Sequence, residues 1–160
     1  IAIVKNAAVH RAAMTIGAAY LTPSAGTERD PLDWVPEFSR RARAVPVYAA
    51  LRSLGREGVA ELVTRGAALA SRMADRLRAA PGVAVLNEVV LNQVLVRFGD
   101  SDERTRAVVR GVQDEGTCWL SGTTWQGRAA MRISVVGAST TAEDADRSVD
   151  AILRVARAPT

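Results

Sequence analysis

The break at Pro81-Gly82 limits the architecture of this chain more than any other feature. Ahead of it, from about Arg41 to Ala80, the pattern is helical with interruptions at Pro46, Gly55 and Gly58. Leu62, Leu69, Met73 and Leu77 recur there at helical spacing and predict one buried face. Beyond the break the period changes. Val83–Leu86 and Gln93–Phe98 read as strands, the second too evenly apolar for a strand with one wet face. Ser101–Glu115 reads as a helix with Val108, Val109 and Val112 inward and Gly116 as its left-handed stop. Thr117–Leu120 and Ala129–Val136 are expected to be two further strands, joined by a Ser-Gly-Thr-Thr-Trp-Gln-Gly turn region. Thr141 with Asp144 three residues on is a capping-box signature for a last helix burying Val149, Ile152 and Leu153. Strand–strand–helix–strand–strand–helix can close a small α/β layer by itself.

The first forty residues cannot. Residues 1–4 read as a short apolar strand, 7–16 as an Ala-rich helix with His10 on an exposed face, and 21–39 as a long loop rich in Pro, Gly and Asp. One strand, one short helix and a loop bury too little surface to stand alone, so they are expected to belong to a larger body. Three parts follow: 1–40, the end of a large domain and a loop; 41–80, a linking helical region; and 81–160, a small C-terminal α/β domain.

Composition excludes several chemistries. A single cysteine, Cys118, allows no internal disulfide, and a single histidine, His10, leaves too few soft ligands for a closed zinc module. No apolar run reaches the ~18 residues that would suggest a bilayer span. The net charge is +4, but the 21 basic residues are dispersed among acidic ones and aromatics make up 4% of the chain. Basic clusters and stacking platforms are missing, so no nucleic-acid partner is expected. Arg65, Arg72 and Arg76 share a helical face and read as a solvated outer surface.

Several segments carry a family resemblance. Asp33-Trp-Val-Pro-Glu-Phe-Ser-Arg-Arg41, followed by Ala44-Val-Pro-Val-Tyr-Ala-Ala-Leu-Arg-Ser-Leu-Gly55, resembles the C-terminal half of the pyridoxal-phosphate-dependent group II decarboxylases, among them the aromatic-amino-acid and glutamate decarboxylases. Ile1-Ala-Ile-Val-Lys5 is similar to the strand soon after that family's His-Lys motif. Asn87–Phe98 is similar to the first strands of its small domain, and Gly116–Ser134 with the closing helix to its last strand pair and end. The segments are co-linear and together span essentially the whole chain.

The resemblance implies the C-terminal part of an aminotransferase-like, fold-type-I protein of α/β class. It further implies a cytoplasmic homodimer with its active site at the subunit interface, pyridoxal 5'-phosphate as cofactor and a small amino-acid substrate. It implies that the Schiff-base lysine lies upstream of Ile1, so that this stretch alone is inactive and no catalytic residue is assigned within it. Lys5 is the only lysine and matches a non-catalytic position after the strand.

Within the chain the resemblance points to Arg132 as the group that holds the substrate carboxylate. A planar guanidinium suits a carboxylate bidentately, and an arginine in an otherwise apolar strand is costly unless paired. The alternative is an ion pair with a structural acid. Tyr20, Trp34, Arg40 and Arg41 are the corresponding interface and mobile-loop positions, for which packing and loop-anchoring roles are open alternatives. One departure matters: the family's loop tyrosine has no counterpart, since residues 21–39 contain no Tyr. The expected function is therefore amino-acid decarboxylation. Aminotransfer or oxidative deamination on the same scaffold is a second reading, and a non-catalytic α/β binding module a third.

Overall fold

A computed structural model of the chain describes residues 3–15, 33–36 and 41–158. It divides into two compact units, Ile1–Ala49 and Ala50–Thr160.

In the first unit, helix α1 (Ala7–Met14) starts at Asn6, whose side-chain oxygen accepts from the Ala8 and Val9 amides at 3.1 Å each. That cap answers two of the amides a helix start leaves unpaired. Ile3 and Val4 do not form the expected strand; among the described residues no neighbour pairs with them, and Ile3 is 94% exposed. Most of the expected loop at 21–39 lies outside the described residues. His10, expected on an exposed face, is half-buried against Trp34, with ring centroids 5.4 Å apart at 89°. This edge-to-face contact is the favoured geometry for ring quadrupoles.

Helix α2 (Ala44–Arg78) crosses from the first unit into the second. Pro46 lies in its first turn, where the missing amide proton costs no hydrogen bond. Gly55 breaks its regularity with φ 63° and ψ −172°, a backbone state that an L side chain resists. Beyond this kink Leu69, Ala70, Met73, Ala74 and Leu77 are buried, as the spacing predicts for Leu69, Met73 and Leu77, whereas Leu62, expected on the same face, is only half-buried.

The second unit holds β1 (Val83–Val85), β2 (Gln93–Phe98), α3 (Asp102–Glu115), β3 (Ser121–Trp125), β4 (Arg128–Ser134) and α4 (Ala142–Arg157). The four strands form an antiparallel sheet in the order β1-β2-β4-β3. Val94 and Val96 on β2 stand opposite Ile133 and Met131 on β4, and Phe98 is buried with them. With Leu77, Val108, Val112, Val149 and Ile152 from the helices, they form one core. Alternation therefore directs Leu95, Arg132, Ser121 and Thr123 to the opposite face.

Both helix ends predicted from local signals are present. Gly116 stops α3 at φ 81° with its amide on the Val112 carbonyl at 3.2 Å. Thr141 and Asp144 make the reciprocal capping box of α4. The expected strand at Thr117–Leu120 is absent, and β3 begins at Ser121. The displaced segment is tied to α3 instead: Gln113 Nε2 donates to the Leu120 carbonyl at 2.9 Å, and the Thr117 amide and hydroxyl both donate to Glu115. The expected broad turn is a two-residue tip, Gln126-Gly127, both at positive φ (48° and 76°). Such a tip matches the twist of the strands that it joins.

The arginines read as a solvated face are partnered. Arg72 donates twice to Asp146 of α4, at 2.8 and 2.7 Å, and Arg76 reaches Asp150 at 2.6 Å and the Asp146 carbonyl at 3.0 Å. Arg65 donates to Glu61 at 2.9 Å and to the Ala138 carbonyl at 2.6 Å.

Candidate functional site

Arg132 sits in the middle of β4, opposite Leu95 of β2 and Ser121 of β3. Its side chain is exposed, and among the described residues it makes no hydrogen bond or ion pair. The cost of an unpaired guanidinium inside an apolar strand therefore does not arise, because the Arg132 side chain reaches solvent. Met131 and Ile133 face the core, whereas Ala130 contributes an apolar residue to the outer side. None of the strand positions on that outer face is Asp or Glu. Water or an acid from elsewhere is what the Arg132 guanidinium has to bind. Its five donors and planar fork fit a carboxylate well.

A buried arginine on this face, Arg97, behaves differently. Arg97, 8% exposed, donates to Asp102 Oδ1 at 2.6 Å, to the Ala129 carbonyl at 3.0 Å and to the Asp100 carbonyl at 2.8 Å. Asp102 also accepts the Ala129 amide at 3.1 Å. The Arg97 hydrogen bond, helped by that amide, holds the Asp102 carboxyl below the usual carboxylate range. This network fastens the end of β2, the start of α3 and the start of β4. Three of its hydrogen bonds go to this network, so Arg97 is structural where Arg132 is available. The sequence reading missed Arg97; its signal is an arginine in a buried strand followed within five residues by Asp100 and Asp102.

The other candidate residues belong to the first unit. Tyr20 and Arg40 lie outside the described residues. Arg41 is exposed just ahead of α2, its carbonyl accepting the Arg43 amide at 2.7 Å. Trp34 packs on His10 as described. Next to it, Asp33 pairs with Arg11 at 2.6 Å and accepts the Thr15 hydroxyl at 3.0 Å, so the end of α1 is fastened to residues 33–36. Neither Asp33 nor this clasp was identified from the sequence.

A pyridoxal aldehyde needs an amine, and Lys5 is exposed in a bend next to the Asn6 cap. It has no hydrogen-bonding or charged partner among the described residues. By themselves these residues do not build a site for the cofactor. Cys118 is half-buried; burial pushes its thiol up, against a hydrogen bond with Ser148 that pulls the other way. Among the described residues no group of three or more His, Cys, Asp or Glu side chains is placed to hold a metal ion. No described helix is long and apolar enough to cross a membrane. A cleft of about 300 Å³ between α2 and the loops at 91–92 and 135–137 is apolar, and its one charged side chain, Arg65, is committed to Glu61 and Ala138.

The chain is similar to several known proteins. The chain is 26% identical over 113 residues to the 3,4-dihydroxyphenylacetaldehyde synthase of Aedes aegypti, covering 71% of this chain and 22% of that protein. It is 25% identical over 121 residues to the histidine decarboxylase of Mus musculus, covering 76% of this chain and 18% of that one. The crystal structure of Oryza sativa TDC with PLP and tryptamine superposes with a TM-score of 0.79 at 19% identity, over 91% of this chain and 33% of that chain. The structural likeness establishes the fold, and the chain spans about a fifth of the length of these two curated relatives. Residues 1–98 match the pyridoxal-dependent decarboxylase conserved domain, and the chain belongs to that family.

Proposed function

We propose that this chain is part of a pyridoxal-phosphate-dependent enzyme that decarboxylates an L-amino acid, and that Arg132 holds a carboxylate of the substrate. One observation carries the second half of this reading: an exposed guanidinium without an acid partner, on a strand face whose positions include no Asp or Glu. Family membership supports the first half.

Pyridoxal phosphate, when bound, supplies an electron sink for the charge left on the α-carbon. Arg132 binds and orients: two parallel hydrogen bonds fix the carboxylate plane, and with it the rotation of the amino acid about its own axis. The Schiff-base lysine belongs to the longer protein, upstream of Ile1, and residues 1–160 alone are inert. Exposed apolar side chains along the first half of α2, including Tyr48 at 65% and Leu51 at 49%, support a larger body that covers them. The division into 1–40, 41–80 and 81–160, the homodimer with its site at the interface and the cytoplasmic location belong to the same proposal.

The test uses the full chain loaded with pyridoxal phosphate and a panel of L-amino acids, with carbon dioxide release as readout. Arg132→Gln is expected to raise KM for the accepted amino acid about tenfold or more, with Arg132→Lys intermediate. An unchanged KM in both variants removes Arg132 from the site.

A second reading changes the product. Residues 21–39 contain no tyrosine, and one relative is an aldehyde synthase. In this version decarboxylation is coupled to oxidative deamination, with molecular oxygen as oxidant and aldehyde, ammonia and hydrogen peroxide as products. Peroxide formed in step with carbon dioxide supports this version, and amine without peroxide supports simple decarboxylation.

A further inference from the structure

We propose that Ser121 is a positioning residue for the carboxylate bound by Arg132, an inference that rests on the Arg132 reading above. The β3–β4 hairpin turns in two residues, Gln126 and Gly127. That short tip pairs Trp125 with Arg128 and, counting back along both strands, Ser121 with Arg132. Directly opposed residues project from the same side of a sheet with their β-carbons about 5 Å apart. Ser121 is half-buried, and its hydroxyl makes no hydrogen bond among the described residues. The neighbour on the other flank of Arg132 is Leu95, which is apolar and 9% exposed. The guanidinium therefore stands between an apolar wall and one hydroxyl.

Those two neighbours have different chemical capacities. A guanidinium only donates, whereas a serine hydroxyl both accepts and donates. Ser121 can accept one N–H of Arg132 and donate its own proton to a carboxylate oxygen, adding a third donor out of line with the arginine fork. Leu95 offers no competing acceptor. A carboxylate in this setting is held at one rotation about the fork axis, and the hydroxyl side of the guanidinium becomes its preferred side.

The test is saturation-transfer NMR of sodium propionate on the full chain, with ionic strength held constant by chloride. Ser121→Ala is expected to weaken propionate binding about tenfold or more, the scale of one hydrogen bond to a charged group. Ser121→Thr, which keeps the hydroxyl, should bind within about twofold of the parent on the same scale. Ser134→Ala, two positions along the same face, should leave binding and unfolding temperature unchanged and serves as control. Loss of binding in Arg132→Gln together with parent-like binding in Ser121→Ala overturns the role of Ser121 and leaves that of Arg132. Parent-like binding in Arg132→Gln overturns both.

Discussion

Asp146 accepts both arms of the Arg72 guanidinium, at 2.8 and 2.7 Å, which joins α4 to the second half of α2 through a bidentate pair. Arg76 approaches the same carboxylate at 3.1 Å. The Arg72 hydrogen bond is the main cause that holds the Asp146 carboxyl down to about 2, from an ordinary value of 3.8. A carboxyl depressed on folding stabilises the folded state above its unfolded pKa, and the effect fades as pH falls through the folded value. Thermal unfolding of Asp146→Asn should therefore lie a few degrees below the parent at pH 7, and the gap should close between about pH 4 and pH 2. A gap of the same size at both ends of that window would remove the pair as its cause.

At Gly111, α3 lies directly against Val155 of α4. A β-carbon placed there would lie 2.7 Å from Val155 Cγ1. Alanine is the better helix former by ~1 kcal/mol, but overpacking costs about 1–3 kcal/mol, so Gly111→Ala should destabilise on balance. The double variant Gly111→Ala/Val155→Ala should recover part of that loss in urea unfolding. A stabilised single variant would mean that the two helices separate without penalty.

Leu77 is fully buried near the end of α2. Truncating it to alanine should cost about 2–5 kcal/mol by the lost transfer energy and the cavity left behind. Chemical denaturation followed by the sheet signal is the measurement, because α2 contributes to the core of the second unit only if that signal shifts too.

Cys118 should be a slow nucleophile. Burial raises its thiol above the ordinary value and so lowers the thiolate fraction at neutral pH. Its alkylation by iodoacetamide at pH 7.5 is expected to be slower than that of a free thiol such as glutathione, and to accelerate with pH beyond the range where glutathione has levelled off. A rate equal to glutathione's would show that the thiol is neither covered nor shifted.

The parts of this fold legible from sequence are those with short-range causes. Gly116 and the Thr141–Asp144 box act within one turn of their helices, so the residues themselves announce the ends. The buried stripe of α2 beyond Gly55 followed from spacing alone. The Cys118-Trp-Leu run misled because apolar character does not distinguish a strand from a segment bonded sideways to a helix, as Gln113 and Glu115 bond this one. Arg132 was legible as a candidate but its exposure was not. Ala130 has no polar signature, so the alternation of β4 between a core side and an outer side is hidden. Ser121 needed the register, which becomes readable once Gln126-Gly127 is taken as a two-residue turn. The pairs Arg72–Asp146 and Arg76–Asp150 join positions about seventy residues apart, and nothing local signals them.

The hairpin tip also works as a parity rule. Strand positions alternate sides, so its length decides whether Arg132 meets a hydroxyl or the bare backbone of Gly122. Adding two residues there would lengthen the ribbon and keep every partner. Adding one must be absorbed as a bulge, or it hands the whole of β3 to the wrong side. Length variation at this tip should be tolerated in even steps and punished in odd ones, however far the inserted residue lies from any bound molecule.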